Sequence, residues 1–351
     1  MCNFEALKWK SNNNYMQKGD LILFFQAPAN LPYLLKQYEE NVGKKNIYIY
    51  VMNVENDYKF IKSLNLKVKE ITFISYEWLV PRYRRTWLTQ HKRVREVYRQ
   101  HFKWINNALV YFYSAVSDWM TFYFVKKLSK NKSNEIVYAD HYDMLEKRME
   151  NRSLNQAEKL ERLMYWFVTG IRMDFNFNQI MYAMPYQRYN IRRIEAEEIK
   201  STKDYQYVPN TDPNCKNILY LSNPWSADGH KAKEAAALET VEFIEKLKKK
   251  GFKFIIKGHP RLLLDDRFAK AADEVIPPYI LSEFINVDNV DVILCVESSA
   301  AHYYTEYTNK PVYSLIYLYH SASEESKDYY AQYLRDLTHG KIYFLHNLDE
   351  L

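Results

Sequence analysis

At 351 residues, 47% apolar and 26% charged, the chain has material for more than one globular core, and a net charge of +6 is too small to imply a polyanion partner by itself. Three cysteines, Cys2, Cys215 and Cys295, are odd in number, far apart and without metal-ligand spacing, so they read as free thiols in a reducing compartment. The 32 tyrosines beside 7 glycines suggest many half-buried rings with polar tips, suited to surfaces that handle sugars or lipid headgroups.

The opening ten residues, Met1 to Lys10, hold no apolar core of signal-peptide length, so export is not expected. No internal repeat of solenoid period is visible, nor any low-complexity segment. Asp20 to Phe25 reads as a first strand, followed by the turn Gln26-Ala27-Pro28. A helix over 31–42 leads to a second strand, Lys45 to Met52, and a helix from Glu55 to Leu64 leads to a third, Glu70 to Ile74. This β-α-β-α-β order implies a parallel, doubly wound sheet. The first turn carries no Gly-x-Gly-x-x-Gly, which argues against a dinucleotide cofactor.

Residues 81–103 are basic and aromatic: Arg82, Arg84, Arg85, Lys92, Arg93, Arg95, Arg99 and Lys103 stand against the single acid Glu96, interleaved with Tyr83, Trp87, Tyr98 and Phe102. Such a segment suits anionic headgroups or phosphates, and equally a solvated helix face. Trp104 to Val125 then runs without Lys or Arg and is long enough to span a bilayer. Asn106, Asn107 and Asp118 interrupt it, and an Asp near the bilayer centre costs about 2.5–3.5 kcal/mol. The expectation is therefore a buried, aromatic-rich helix, with monotopic insertion as the alternative. The strand Glu135 to Asp140 ends in Asp140-His141-Tyr142, where Asp140 is placed either as a general base or as a strand-end residue capping a turn. Residues 154–207 look mostly helical and charged. The expected division is a first domain over 1–160, a helical crossing segment over 161–210 and a second domain over 211–351.

The second half repeats the alternation. A strand from Asn217 to Ser222 runs into Asn223-Pro224-Trp225-Ser226-Ala227-Asp228-Gly229, and a long helix follows from His230 to Lys250 with Gly251 as its C-cap. Next, Lys253-Phe254-Ile255-Ile256-Lys257-Gly258-His259-Pro260-Arg261 is a buried-strand pattern ending in a polar turn. Pro260 lacks an N–H and holds His259 extended, and a parallel strand end of this kind should face a ligand crevice with Lys257 and His259. Glu283 follows the turn Pro277-Pro278 and could accept two hydrogen bonds from a ribose diol, or be a solvated helix-start residue. A strand from Val290 to Val296 reaches Glu297-Ser298-Ser299-Ala300-Ala301, where paired hydroxyls at a helix start make an anion site, or where Ser298 is simply the N-cap. The last elements are a strand over Pro311 to Ile316, a helix from Ser323 to Leu337 and a strand from Lys341 to Leu345.

Taken in order, Lys257-Gly258-His259-Pro260, then Glu283, then Ser298-Ser299 resemble the nucleotide half of the bacterial GT-B sialyltransferases, including the capsule polysialyltransferases. The likeness covers the C-terminal part of the chain well and the first half only loosely. It implies an α/β, GT-B glycosyltransferase fold of two facing Rossmann-like domains with a central crevice. It implies that His259 assists departure of CMP, that Glu283 holds the ribose and that Ser298 and Ser299 hold the phosphate, with Ser222 also at the phosphate and Trp225 stacking on the acceptor sugar. The position of Asp140 resembles the family's acidic-acidic-Gly base motif, but Ala139 replaces its first acid and His141 its Gly. Asp228 is therefore an alternative base.

The reaction expected is inverting, metal-independent transfer of sialic acid or a related nonulosonic acid from a CMP donor to a glycan or glycolipid hydroxyl. Lys257 would add fixed positive potential, and no Asp-x-Asp metal site stands out; no cofactor is expected beside the CMP-sialic acid donor. Rival readings are a CDP-glycerol transferase, a nucleic-acid-binding protein using residues 81–103, and a non-catalytic sugar-binding relic. No recognised nucleic-acid fold accompanies the basic patch, so nucleic acid is not the expected partner. An anionic membrane surface and a homodimer stay open. The expected location is the cytoplasm, including the inner face of its membrane.

Overall fold

The structure, a computed structural model, describes residues 19–52, 54–75, 87–113, 119–140, 154–172, 186–222, 229–259 and 263–351. In chain order the first half forms β1 (Asp20–Phe25), α1 (Leu31–Asn41), β2 (Asn46–Met52), α2 (Glu55–Ser63), β3 (Glu70–Ile74), α3 (Trp87–Val97), β4 (Ala108–Tyr113), α4 (Trp119–Leu128), β5 (Glu135–Asp140), α5 (Gln156–Thr169) and β6 (Arg192–Glu195). After Asp20 every side chain of β1 is buried, the pattern of a central parallel strand covered on both faces. It pairs in parallel with β2 on one side and β4 on the other. The complete sheet has the order β3-β2-β1-β4-β5-β6, parallel throughout. Aromatic side chains fill one face: Phe102 lies between Phe24 and Phe124, with ring centroids 5.5 and 4.5 Å away. Helix α5 shows why the chain turns where it does. The Asn155 side chain accepts from the Glu158 N–H, the Glu158 carboxylate accepts from the Asn155 N–H, and Gly170 closes the helix at φ +67°.

Two expectations for this half are corrected. Trp104 to Val125 is not one helix, because Ala108–Tyr113 is strand β4 and the helix begins only at Trp119. A central strand buried on both faces is a continuous apolar run, which periodicity alone does not separate from a buried helix. Among the described residues, no helix is long and apolar enough to cross a membrane. Among its described residues, the stretch 154–207 is less helical than expected: beyond α5 they hold short 3₁₀ turns and the strand β6, whose Arg192 pairs with Val137 in the sheet register. Of the basic segment, residues 81–86 lie outside the described residues. In the rest, Lys92, Arg95, Arg99 and Lys103 are exposed, while Phe102 is buried in the core and Tyr98 packs against it.

The second half forms β7 (Asn217–Leu221), α6 (Gly229–Lys249), β8 (Lys253–Lys257), α7 (Asp266–Ala271), β9 (Glu274–Ile276), β10 (Val292–Cys295), α8 (Ala301–Tyr307), β11 (Val312–Ser314), α9 (Glu324–Leu337) and β12 (Tyr343–Phe344). Its sheet runs β12-β11-β10-β7-β8-β9, again all parallel. Both sheets have the same winding. The chain starts at a central strand, adds two neighbours on one side, then returns to the other side for three more, which is the Rossmann order with a switch point between the first and fourth strands. The chain is thus α/β with two Rossmann-like domains. Phe243, Ile244 and Leu247 of α6 pack with Tyr220, Phe254 and Ile256 of the sheet in one core. Helix α6 stops at Gly251, whose φ of +86° is strained for a residue with a side chain.

By contacts the chain divides into two units: Met1–Val54 with Lys67–Glu198, and Glu55–Leu66 with Ile199–Leu351. Helix α2 therefore belongs with the second sheet, and within that unit Phe60 meets Phe284 edge-on at 5.5 Å.

Candidate functional site

In a doubly wound sheet ligands bind beyond the carboxyl ends of the strands at the switch point, because there the connecting helices diverge to opposite faces and leave a gap. In the second unit that point lies between β7 and β10. A cavity of about 230 Å³ opens there. Ser222 follows β7, His259 follows β8 and Val296 follows β10, and all three line it. Two of the sequence-derived site residues, Ser222 and His259, are thus brought to one wall. Lys233 of α6 and Asp265 at the cap of α7 supply charge of both signs. Asp265 accepts from the Arg267 N–H and from its guanidinium at 2.6 Å, and Arg267 also reaches Glu234 at 2.6 Å. The Arg267 hydrogen bond, with Lys233 nearby, holds the Asp265 carboxyl below the usual range.

Beneath these lie side chains that sequence reasoning did not single out. Tyr220, Thr240 and Tyr319 are buried and line the cavity, with the Thr240 and Tyr319 hydroxyl oxygens 2.7 Å apart. Burial pushes the Tyr319 phenol up to about 12 and Tyr220 well above its ordinary value, so both stay protonated at neutral pH. No sequence signal marked them, since a Tyr in a strand and one after a strand look alike among 32.

Lys257 and Glu283 sit elsewhere. Phe254 and Ile256 point into the core under α6, so by strand alternation Lys257 points to the opposite face of the sheet. It is 2% exposed, and its ammonium donates to the carbonyls of Gly258 and Pro278. Burial lowers it to about 8, partly opposed by the Glu283 charge. Burial also raises the Glu283 carboxyl, opposed by its own backbone N–H and by Lys257. The pair and its two carbonyls brace the turn after β8 against the Pro277-Pro278 turn. The Glu283 side chain follows on the short 3₁₀ turn Ser282–Phe284 rather than a helix start.

At the end of β10 the chain bends through Glu297, Ser298 and Ser299 before α8. Ser298 is half-buried and Ser299 exposed. The N-cap position of α8 is held by Ala300 without a side-chain bond, so Ser298 does not act as the cap. Its backbone N–H instead donates to the Cys295 thiol, which burial pushes up to about 12. Glu297, adjacent to the quoted pair but not chosen from the sequence, is 7% exposed. Burial raises its carboxyl to about 7, opposed by a hydrogen bond from Tyr330.

Asp140 ends β5 in the first unit, where Arg193 of β6 donates to its Oδ2 through Nε at 3.0 Å and through a second guanidinium nitrogen. An acid in that grip has one oxygen already engaged. Trp225, Asp228, His141 and Pro260 lie outside the described residues. Among the described residues, no group of three or more His, Cys, Asp or Glu side chains is arranged to hold a metal ion.

No protein-family model matches the chain, and no curated protein matches it. Solved structures similar to it include the glycotransferase of kitacinnamycin, at 10% identity, covering 94% of this chain and 86% of that chain, with a TM-score of 0.49. CalG4, the calicheamicin glycosyltransferase, is 9% identical, covering 93% and 86%, with a TM-score of 0.48. A putative UDP-N-acetylglucosamine 2-epimerase from Listeria monocytogenes is 9% identical, covering 86% and 80%, with a TM-score of 0.42. The fold class rests on the two sheets and their winding order.

Proposed function

We propose that the chain is a glycosyltransferase of the GT-B class that moves a nonulosonic acid such as sialic acid from a CMP donor to a glycan hydroxyl, with inversion and without a metal. The observation that carries this reading is the cavity at the switch point of the second sheet, with Ser222 and His259 in its wall. The order Lys257-Gly258-His259-Pro260, Glu283, Ser298-Ser299 supports the choice of donor. In the reaction the bond from the anomeric carbon to the CMP phosphate oxygen breaks, and a bond from that carbon to the acceptor oxygen forms. The acceptor proton passes to a carboxylate, Asp140 or Asp228, and His259 donates a hydrogen bond or proton to the departing phosphate. Ser298 and Ser299 serve the phosphate and Trp225 the acceptor, while Glu283, set beside Lys257 and not in the cavity wall, supports the turn that carries His259. Exposed Lys92, Arg95, Arg99 and Lys103 offer charge for an anionic membrane surface.

The test is to incubate the protein with CMP-sialic acid, and separately with CDP-glycerol, over an oligosaccharide array in EDTA, reading products by mass. One CMP released per sialylated product is the expected result. Transfer from CDP-glycerol alone would move the assignment to that donor, and CMP release without any product would leave a hydrolase or a binding relic.

A further inference from the structure

On the first unit, α5 shows water a face that an ordinary surface helix would make polar. Each residue turns a helix by about 100°, so Lys159, Leu163, Trp166 and Phe167 fall within about 100° of arc. The far side of the helix supplies Met164 and Tyr165 to the core, yet Leu163, Trp166 and Phe167 are 46%, 50% and 53% exposed. A single exposed apolar residue is ordinary, but three large ones on one stripe mark a contact surface. Positive charge lies beside the stripe. Helix α5 packs on α3 and α4, and the Phe167 ring is 5.9 Å from the ring of His91 on α3. One turn on from His91 is Arg95, with Arg99 just beyond the helix. Burial raises the Tyr123 phenol of α4, opposed by Arg95 and Arg99, and the Lys127 ammonium sits 5.5 Å over the Tyr123 ring. Burial lowers Lys127, and so do its like-charged neighbours Lys130 and Arg95. Of the acids on these helices, Glu96 is 3.9 Å from Lys92 and Glu161 accepts from Tyr165. Among the described residues no ion pair joins an acid to Arg95, Arg99, Lys127 or Lys130.

We infer that this face docks on an anionic bilayer, with α5 in the membrane plane, Leu163, Trp166 and Phe167 inserted between headgroups and upper acyl chains, and Arg95, Arg99, Lys127 and Lys130 on the lipid phosphates. The helix has 14 residues, about 21 Å at 1.5 Å each, too short to cross a hydrocarbon core of about 30 Å and suited to lying within the interface. Indole and phenyl rings favour that depth, and cations flanking an apolar stripe match a surface of anionic lipid. A second copy of the chain fits less well, because a symmetric contact through the stripe would set one cluster of cations against another. The inference deepens the charge reading proposed above, on which it rests for the sign of the surface, and adds the stripe that enters the lipid; it does not depend on the donor.

The test is flotation of the full chain with vesicles of phosphatidylcholine alone and of phosphatidylcholine mixed with phosphatidylglycerol. Wild type should partition onto the mixed vesicles and much less onto phosphatidylcholine. Replacing Arg95→Gln and Arg99→Gln should weaken partition on the order of fivefold for each charge removed. The pair Trp166→Ser and Phe167→Ser should weaken it by about tenfold or more, with melting curves reporting that the fold is kept. If that pair does not fold, Trp166→Ser alone is read, together with quenching by brominated lipid, which should be strong in wild type and reduced in a Trp166→Phe variant that still binds. Undiminished binding by the folded serine variant would overturn the inserted stripe and leave the charge reading standing. Equal partition of wild type onto both vesicle types would overturn the role of the cations. If wild type binds neither, the inference and the charge reading fall together, while transfer to a soluble acceptor would keep the transferase. A dimer in sedimentation velocity that Trp166→Ser dissociates would give the stripe to a second copy and overturn the inference.

Discussion

His259 is the residue on which the proposed chemistry turns. It lies half-buried in the cavity wall at the end of β8, held by a turn in which Gly258 lets Leu264 approach to van der Waals contact. A Cβ at Gly258 would meet the Leu264 Cβ at 3.4 Å, the near edge of ordinary van der Waals contact. His259→Ala should leave CMP binding largely intact and cut transfer by about 10²–10⁴-fold, the span for a lost general acid. Near wild-type turnover would remove it from the mechanism. A second residue-scale prediction concerns Glu297. Its carboxyl is raised from 4.5 to about 7 by burial, so the folded state holds a proton that the unfolded chain releases. That contribution is fully present below about pH 4.5 and is lost as pH rises through about 7. Wild type should therefore lose on the order of 1–3 kcal/mol between those values that Glu297→Gln does not lose. Parallel urea titrations of the two proteins would check this, and identical pH profiles would refute it.

At the scale of an element, the turn after β8 is the part whose shape the site depends on. Lys257 binds the carbonyls on both sides of the gap between this turn and the Pro277-Pro278 turn, and it does so as a desolvated cation beside a partly buried Glu283. Lys257→Met relieves the burial of charge while removing both hydrogen bonds, so the two effects on stability oppose each other. The melting temperature should move little. Transfer should fall by up to about 10²-fold, because an ångström of misplacement at a reacting group costs that much. A variant with full turnover would show that His259 does not depend on the brace. The same reasoning explains why α8 is a weak anchor for phosphate: it spans seven residues and its cap position holds an alanine. The Ser298 and Ser299 hydroxyls, rather than the helix dipole, would have to supply the contact.

At the scale of the whole molecule, the proposed function puts one candidate base and the cavity on different units. Asp140 ends a strand of the first unit and is gripped by Arg193, whereas the cavity and His259 belong to the second. If Asp140 is the base, Asp140→Asn should abolish transfer while CMP binding, a property of the other unit, survives. Asp228→Asn should then cost much less. Steady-state rates for the two variants, ranked the other way, would assign the role to Asp228.

Strand and helix assignments were legible wherever local pattern and local environment agree. The strands Asp20–Phe25, Glu70–Ile74 and Glu135–Asp140 fall as their apolar runs and bounding polar residues imply, and Ser323 caps α9 as its hydroxyl at a helix start suggests. Alternation of strand with helix was enough to imply parallel, doubly wound sheets, because a parallel pair needs a crossover. Pattern alone failed where burial on both faces erases periodicity, as in Ala108–Tyr113, and where an element is too short to carry a period, as in Glu274–Ile276. The sequence by itself thus determined the class of fold and drew attention to His259 by its place at a strand end and to Ser222 through the family resemblance. Only the tertiary structure decided that Lys257 turns away from the cavity, that Glu297 is buried enough to hold a proton, and that Tyr220, Thr240 and Tyr319 line one cavity. Those facts depend on which face of a sheet each side chain takes and on what lies across from it, and residues 220, 240 and 319 become neighbours only when strands and helix pack into one core.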